Sequence, residues 1–216
     1  MPALTSLPDR IADAGGAALA TVIGLMSARP AAKPLHPRGR TQGARLRHKA
    51  PERPTGVPWL DTPGEEQVLA RVSRAVGLPA GLPDIQGIAL RVPVEDDGHG
   101  DVLFASTGLG AATRFLLTPT RSAEGRPLTT LLPYRTVRGP LLLALDPVAE
   151  GRFRLLVSGA IGPWATAGEL VLGEPQGDDL VSFDPVRNEI PGLGNYGWVR
   201  RLREPSYSLA RRRRGE

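Results

Sequence analysis

The chain has 216 residues and a formal net charge of +5, and 26 glycines and 22 prolines fall between its short apolar runs. This length allows one domain with a sizeable core, and the glycines and prolines argue against a helical bundle. The absence of cysteine excludes disulfides, zinc–thiolate sites, thiolate-ligated haem and cysteine nucleophiles.

The charge is distributed unevenly along the chain. Residues 54–199 contain 11 basic and 17 acidic residues, whereas the two ends together contain 16 basic and 5 acidic residues. A nucleic-acid groove requires positive charge over a folded face, so this pattern argues against a nucleic-acid partner. An acidic body between two basic ends suits an anionic ligand held between them, and solvated tails give the same pattern.

An apolar stretch at residues 14–26 is the first predicted element. It is too short to span a bilayer, and only Arg10 precedes it where a secretory signal would carry a basic segment. The stretch predicts an N-terminal helix that begins near Pro8 and packs on the body or on a partner, which favours a cytoplasmic protein and a homodimer. Contact of residues 11–27 with lipid is the alternative.

Residues 29–58 form a basic, proline-rich arm with little periodicity, which predicts an extended or looped course over the surface. The arm contains the segment Lys33-Pro34-Leu35-His36-Pro37-Arg38-Gly39-Arg40, with one of the three histidines of the chain. A histidine in such a segment can exchange protons near neutral pH. A solvated loop with an incidental histidine is the alternative interpretation.

Short apolar or alternating runs follow, separated by glycine, aspartate and proline. They predict strands at 85–94, 101–106, 112–118, 140–146, 153–160, 168–174 and 180–184, with a polar connection at 119–140. Residues 63–76 fit a helix or a strand. The pattern predicts a mainly β protein whose antiparallel barrel or sandwich spans 59–194, between an N-terminal helix and arm (1–58) and a C-terminal helix with a basic tail (195–216).

Two residue pairs are candidates for chemistry. Arg71 and Ser73 share one side of a strand because side chains alternate with period two. Arg203 precedes Tyr207 by four residues, so on a helix its guanidinium could hold the phenol as phenolate, although a helix that caps the barrel gives the same pattern. The histidines lack metal-ligand spacing and no nucleophile motif is present, which disfavours hydrolysis of phosphoesters. The glycine-rich residues 192–197 follow no buried parallel strand, which favours a turn over a nucleotide-binding loop.

Taken in order, four segments resemble the haem-dependent catalase family and its short bacterial, peroxidase-like members. Residues 33–39 are similar to the Arg-x-x-His-Ala-Lys/Arg-Gly box of the family, and residues 70–73 (Ala-Arg-Val-Ser) to its Val-Arg-Phe-Ser strand. Residues 83–92 are similar to its Arg-Asp-x-Arg-Gly-Phe-Ala-Val-Lys-Phe segment. Arg203 and Tyr207 match the Arg-x-x-x-Tyr of its proximal helix. The resemblance covers about residues 33–207.

The resemblance implies a catalase-like antiparallel β-barrel with a haem b site, and an oxidoreductase that acts on hydrogen peroxide or organic peroxides. His36 would carry a proton between the two peroxide oxygens, and Ser73 would orient its imidazole. Lys33 and Arg71 would pair with the haem propionates.

On the other side of the haem, the resemblance implies that Tyr207 is the axial iron ligand and that Arg203 keeps it as phenolate. The asparagine with which the family polarises peroxide has no counterpart here, and its position falls near Ser106 or Thr107. Peroxidase-like activity is therefore expected more than efficient catalase activity. The alternative is a barrel without haem that binds a small apolar ligand or a partner chain.

Overall fold

The structure, a computed structural model, describes residues 38–79, 81–94, 98–177 and 181–200. Strands account for most of the regular structure in this part of the chain, together with one short helix, α1 (Pro58–Asp61). The nine strands are β1 (Arg38–His48), β2 (Gly64–Arg74), β3 (Gln86–Val94), β4 (Gly98–Ser106), β5 (Leu128–Thr129), β6 (Tyr134–Thr136), β7 (Gly139–Ala149), β8 (Arg152–Ser158) and β9 (Ala165–Leu172).

Eight of these strands close into an antiparallel barrel. The sheet runs β5-β4-β3-β2-β1-β9-β8-β7, and the pairing of β5 with β7 joins its two ends, while β6 extends only β7. Because closure leaves no unpaired edge strand, the backbone hydrogen bonds of the sheet are satisfied around the ring. The predicted mainly β, antiparallel barrel is confirmed.

Side chains fill the barrel axis. On β2 the inward positions are Val68, Ala70 and Val72, and on β3 they are Ile88 and Leu90, as the period of two requires. The largest fully buried side chains include Phe153 and ten leucines, and all of them except Leu142 belong to this core. A ligand is therefore expected on the outer face of the barrel and not along its axis.

One end of the barrel is closed by α1 and by residues that follow the last strand. Leu60 of α1 and Val57 before it pack with Ile190 and Leu193 in the same core cluster. Gly192 has a φ of +88°, a left-handed conformation that favours glycine, at the turn where the Leu193 N–H bonds to the Ile190 carbonyl. The turn favoured for the glycine-rich residues 192–197 is confirmed around Gly192, and residues 197–200, the last that the structure describes, are helical.

Three predictions need correction. The surface course expected for residues 29–58 is wrong for Arg38–His48, which is a full barrel strand paired with β2 and β9. The strand expected at 112–118 is a 3-10 turn at Thr113–Phe115, because Arg114 is turned inward and buried. The end of the strand expected at 180–184 is irregular, since residues 181–184 run as coil.

The remaining predicted elements have mixed outcomes. Residues 63–76 adopt the strand alternative, and the connection at 119–140 holds the short strands β5 and β6. The expected N-terminal helix at 14–26 lies outside the described residues. Within the part of the chain that the structure describes, no helix is long and apolar enough to cross a membrane.

Candidate functional site

Small residues occupy two adjacent rows on the outer face of β1 to β4. Each row crosses the four strands from β1 to β4, and together they form a surface that we call the platform. Its first row is Gly39, Ser73, Gly87 and Ala105, and its second row is Thr41, Arg71, Ala89 and Leu103. Three inter-strand spacings make the platform roughly 14 Å wide, a dimension that suits a flat macrocycle better than a single small ion.

Two of the three polar side chains of the platform, Arg71 and Ser73, come from β2, and the third is Thr41 of β1. Arg71 and Ser73 both face outward, since Ala70 and Val72 face the core, and this confirms that they share one side of the strand. Gly39 and Gly87 flank Ser73 in its row and contribute no side chain. Apart from Thr41, the neighbours of these two side chains on the platform are small or apolar.

The guanidinium of Arg71 lies across Gly39 on the neighbouring strand. A β-carbon at position 39 would lie 2.6 Å from both Cζ and Nη2 of Arg71 and 2.9 Å from the carbonyl oxygen of Val72. These distances are shorter than any ordinary carbon contact, so only glycine allows Arg71 to take this course. This close approach explains the glycine that ends the 33–39 box.

Three polar residues of the platform are buried in the folded chain. Thr41 is 2% exposed, and Arg71 and Ser73 are each 6% exposed. An arginine side chain keeps its positive charge at any ordinary pH, so Arg71 brings a permanent cation to a largely water-excluded surface.

A loop borders the platform beside β1. The N–H of Thr41 donates to the carbonyl of Gly177 at 2.8 Å, the hydroxyl of Thr41 donates to the same oxygen at 3.2 Å, and the N–H of Gln176 donates to the carbonyl of Thr41 at 2.9 Å. Residues 173–177 thus continue the pairing of β1 beyond the end of β9. This border fixes the outer edge of the second row.

The connection between β4 and β5 borders the platform on the other side. Thr129, next to Ala105 in the sheet, donates from its hydroxyl to the carbonyl of Arg114 at 2.7 Å. The buried guanidinium of Arg114 donates to the Ser158 hydroxyl and to backbone carbonyls, and it stacks on Trp164 at 4.7 Å. Burial lowers the pKa of Arg114 from its usual value. This arginine holds the connection against the end of β8 and against Trp164, which precedes β9.

A second polar cluster lies on the same outer face of β3 and β4, one row beyond Ala89 and Leu103. The Asp101 side chain has no solvent exposure, and it accepts bonds from Arg91 Nε at 2.9 Å, Arg91 Nη2 at 3.0 Å, Asn188 Nδ2 at 2.8 Å and the Asp184 N–H at 2.8 Å. Arg91 also stacks over Phe183 at 5.1 Å. This cluster, which we call the Asp101 clamp, fastens residues 182–188 to the barrel.

The two hydroxyls nearest the position of the family's asparagine are committed to the fold. Ser106 Oγ accepts from the Gln86 N–H at 3.1 Å and donates to the Thr118 carbonyl at 2.7 Å, and Thr107 Oγ1 bonds to Thr129 Oγ1 at 3.1 Å. The outward residue of β4 in the row of Ser73 is Ala105. The eight platform residues therefore include no side-chain amide.

The only histidine buried in the described part of the chain lies away from the platform. His48, at the far end of β1, is 7% exposed, and its Nε2 lies 2.8 Å from Glu66 Oε1, which also accepts from Trp59 Nε1 at 2.6 Å. The His48 and Trp59 rings meet edge to face at 5.0 Å. The cluster ties α1 to β1 and β2. Among the described residues no three His, Asp or Glu side chains form a metal site.

The structure describes two of the six predicted site residues. It brings Arg71 and Ser73 together on the platform, beside Gly39 of the 33–39 box. Lys33, His36, Arg203 and Tyr207 lie outside the described residues. Sequence reasoning missed the remaining platform residues and the Asp101 clamp. The alternation of Gly87, Ala89 and Arg91 with apolar residues was the available signal for an outward row of small side chains.

Comparison with known proteins identifies the architecture. No protein-family model and no curated protein matches the sequence. Among solved structures the chain is similar to a fungal catalase, with a TM-score of 0.61 and 12% identity over 91% of this chain and 62% of the catalase chain. The chain thus spans less than two thirds of that protein. At this identity the similarity concerns the fold, and the chain has a catalase-like β-barrel.

Proposed function

We propose that the protein is a haem-binding, catalase-like oxidoreductase that acts on peroxides, with peroxidase-like activity predominating. The observation that carries this proposal is the position of Arg71 and Ser73 on the platform, directly beside the last residue of the 33–39 box. His36 is three positions before Gly39, a span of at most about 11 Å along the chain. The proposed proton carrier and its proposed hydrogen-bond partner are therefore within reach of one another.

The platform fits the proposed cofactor. Haem is a flat macrocycle with two carboxylates at one edge, and the platform offers small residues for the ring and the buried cation of Arg71 for a carboxylate. Lys33 would pair with the second propionate. The five residues between Lys33 and Gly39 give the lysine enough chain to reach the same edge. Haem, when bound, supplies the redox chemistry of peroxide cleavage.

Four residues have proposed roles in this chemistry. His36 takes a proton from one peroxide oxygen and returns it to the other, which a group with a pKa near neutrality does efficiently. The Ser73 hydroxyl holds the imidazole in the orientation that this transfer requires. Tyr207 would hold the iron as phenolate, and Arg203, four residues earlier in the sequence, would stabilise that charge.

The composition of the platform favours organic peroxides over hydrogen peroxide. Ala89, Leu103 and Ala105 present apolar surface around Ser73, and the hydroxyls of Ser106 and Thr107 are engaged in the fold. A small polar peroxide gains little from such a surface, whereas an alkyl group buries its carbons there. We therefore expect higher kcat/KM for an alkyl hydroperoxide than for hydrogen peroxide.

The cofactor is tested by expressing the chain with a haem precursor and recording its absorption spectrum. We expect a Soret band with the charge-transfer bands of high-spin, phenolate-ligated iron, and their loss in Tyr207→Phe. Tyr196→Phe is the matched control, because it removes a phenol eleven residues away. A folded, β-rich chain that takes up no haem would refute the proposal and leave a binding module.

The distal roles are tested by turnover of an alkyl hydroperoxide. His36→Ala and Ser73→Ala should each lower kcat by roughly 100-fold or more while the Soret band remains, since general acid–base catalysis contributes about 100- to 10,000-fold. His99→Ala and Ser122→Ala are the matched controls, because both residues are exposed. Unchanged turnover in His36→Ala would remove this histidine from the mechanism.

A further inference from the structure

Two loops on the half of the barrel away from the platform expose apolar side chains and no charged one. Residues 107–119, which we call the first loop, follow β4, and residues 159–164, the second loop, connect β8 to β9. In a chain of which 23% of residues are charged, these 19 residues include a single charged one, Arg114, and it is buried. Leu116 is 51% exposed and Ile161 is 64% exposed. An exposed apolar surface of this kind is typical of a contact with another molecule.

The two loops are joined into one surface by Arg114 and Trp164. The Arg114 guanidinium donates to the carbonyl of Leu109 in the first loop at 3.2 Å and to that of Gly159 in the second at 3.3 Å. Trp164 stacks on this guanidinium, and its Nε1 donates to the Leu109 carbonyl at 2.7 Å. Because a buried cation and an indole hold both loops together, the surface is already rigid before any partner binds.

The polar groups of the first loop bond to one another. The Thr113 carbonyl accepts from the Gly108 N–H and from the Leu116 N–H, each at 3.1 Å, and the Thr113 hydroxyl accepts from the Gly110 N–H at 3.0 Å. Arg114 takes up carbonyl oxygens of both loops, as described above. A partner can therefore cover these groups without leaving them unpaired, which would cost about 1–3 kcal/mol for each group.

The first loop lies over the outer face of β7 and β8. Leu142 of β7 and Leu156 of β8 alternate with core residues and so face outward, yet they are only 0% and 7% exposed. Arg114 bonds to the Ser158 hydroxyl on the same face at 3.0 Å, which places the loop there. The platform lies on β1 to β4, in the other half of the ring. A partner on the two loops would leave the platform accessible.

We propose that the first and second loops form the interface of a homodimer, in which each copy of the chain covers the same loops of the other. An interface with two-fold symmetry brings each surface against itself, so exposed like charges would repel, and these loops expose none. Their 19 residues are close to the roughly 20 that each partner contributes to a stable interface. An anionic lipid surface would instead require a basic rim, and the residues that follow the first loop, Arg121, Glu124 and Arg126, carry both signs.

The experiment measures the molar mass of the full chain by sedimentation equilibrium over a range of protein concentrations. Leu116→Asp and Ile161→Asp place a carboxylate in each loop, and both positions are exposed, so both variants should fold. Leu82→Asp is the matched control for Leu116→Asp, because Leu82 is equally exposed at 51% and lies between β2 and β3. Val137→Asp, at the turn between β6 and β7, is the control for Ile161→Asp.

We expect a dimeric wild type and dimeric controls. Each loop variant should dissociate roughly 100-fold more readily, about 2.8 kcal/mol, because two-fold symmetry introduces every substitution twice. Raising the NaCl concentration from about 0.1 M to about 1 M should leave the dimer intact, whereas a dimer held by the basic ends of the chain would dissociate.

Three results would overturn the proposal. The first is a wild type that stays monomeric at every concentration. The second is a dimer in which both loop variants associate as tightly as their controls. The third is a monomer that sediments with phosphatidylcholine vesicles and loses this binding in Ile161→Asp, which would assign the surface to lipid. The interface is independent of the proposed haem function, so haem titration and turnover have no bearing on these outcomes.

Discussion

Replacing Gly39 with alanine tests whether the guanidinium of Arg71 has to lie across β1. The new methyl carbon would meet Arg71 Cζ and Nη2 at 2.6 Å and the Val72 carbonyl oxygen at 2.9 Å. The arginine side chain can move, but the backbone carbonyl can do so only by distorting the β1–β2 ladder. Overpacking of this kind costs about 1–3 kcal/mol, and it displaces the cation from the platform.

Gly43→Ala is the matched control, because Gly43 lies on the same strand and the same outer face. A β-carbon there would have a single neighbour, Gln176 Nε2, at 4.0 Å. Both substitutions remove the conformational entropy of a strand glycine, which favours alanine by roughly 0.5–1 kcal/mol. The difference between the two variants therefore isolates the clash at position 39.

The assay is equilibrium unfolding in urea, followed by haem titration of the folded variants. Gly43→Ala should be as stable as the wild type or slightly more so, whereas Gly39→Ala should be less stable than Gly43→Ala by about 1–3 kcal/mol and should bind haem more weakly. Equal stability and equal haem affinity in the two variants would refute the inference that a side chain at position 39 cannot be accommodated beside the guanidinium of Arg71.

Three further predictions follow from the contacts described above. Trp164→Leu removes the stacking on Arg114 and the 2.7 Å bond to the Leu109 carbonyl, and it should lower the free energy of unfolding in urea by roughly 2–3 kcal/mol. The pKa of Asp61 lies below its usual 3.8, since burial raises it less than bonds from Thr55 and Gly56 lower it. Its stabilising effect should therefore be present above pH 3.8 and be lost as the pH falls further, so the stability difference between the wild type and Asp61→Asn should shrink below that pH. Ala105→Asn places an amide in the row of Ser73 and should raise turnover of hydrogen peroxide relative to an alkyl hydroperoxide, and an unchanged ratio would contradict the proposed selectivity.

The barrel could be predicted because, in most of its strands, large apolar residues occur at every second position. In β3 and β4 the inward Ile88, Leu90, Val102 and Phe104 are large and apolar, whereas all of their outward neighbours except Leu103 are small or charged. Strand β1 escaped prediction because its inward residues begin with a glutamine and end with a histidine, so that only Ala44 and Leu46 show the pattern. At 112–118 the apolar composition predicted a strand, but the buried guanidinium of Arg114 finds its acceptors only in a tight turn.

The site was predictable only where its residues are close in the sequence. Arg71 and Ser73 are two residues apart, and period two places them together. The Asp101 clamp joins Asp101 and Asn188, which are 87 positions apart, and no local sequence pattern predicts such a contact. The approach of Arg71 to Gly39 also depends on the register between β1 and β2, which follows from closure of the whole barrel.

Closure of the ring through β1 and β9 has a consequence for synthesis of the chain on the ribosome. Strand β1 can pair with β2 early, but its other edge finds β9 only after about 128 further residues, from Ala44 to Leu172. At 5–20 residues per second this edge stays open for roughly 6–26 s in each nascent chain. Arg45 and Arg47 are exposed on the outer face of this strand, and charged side chains on an edge strand oppose its pairing with a second nascent chain. The positive charge of β1 thus protects the strand during the interval before its permanent partner exists.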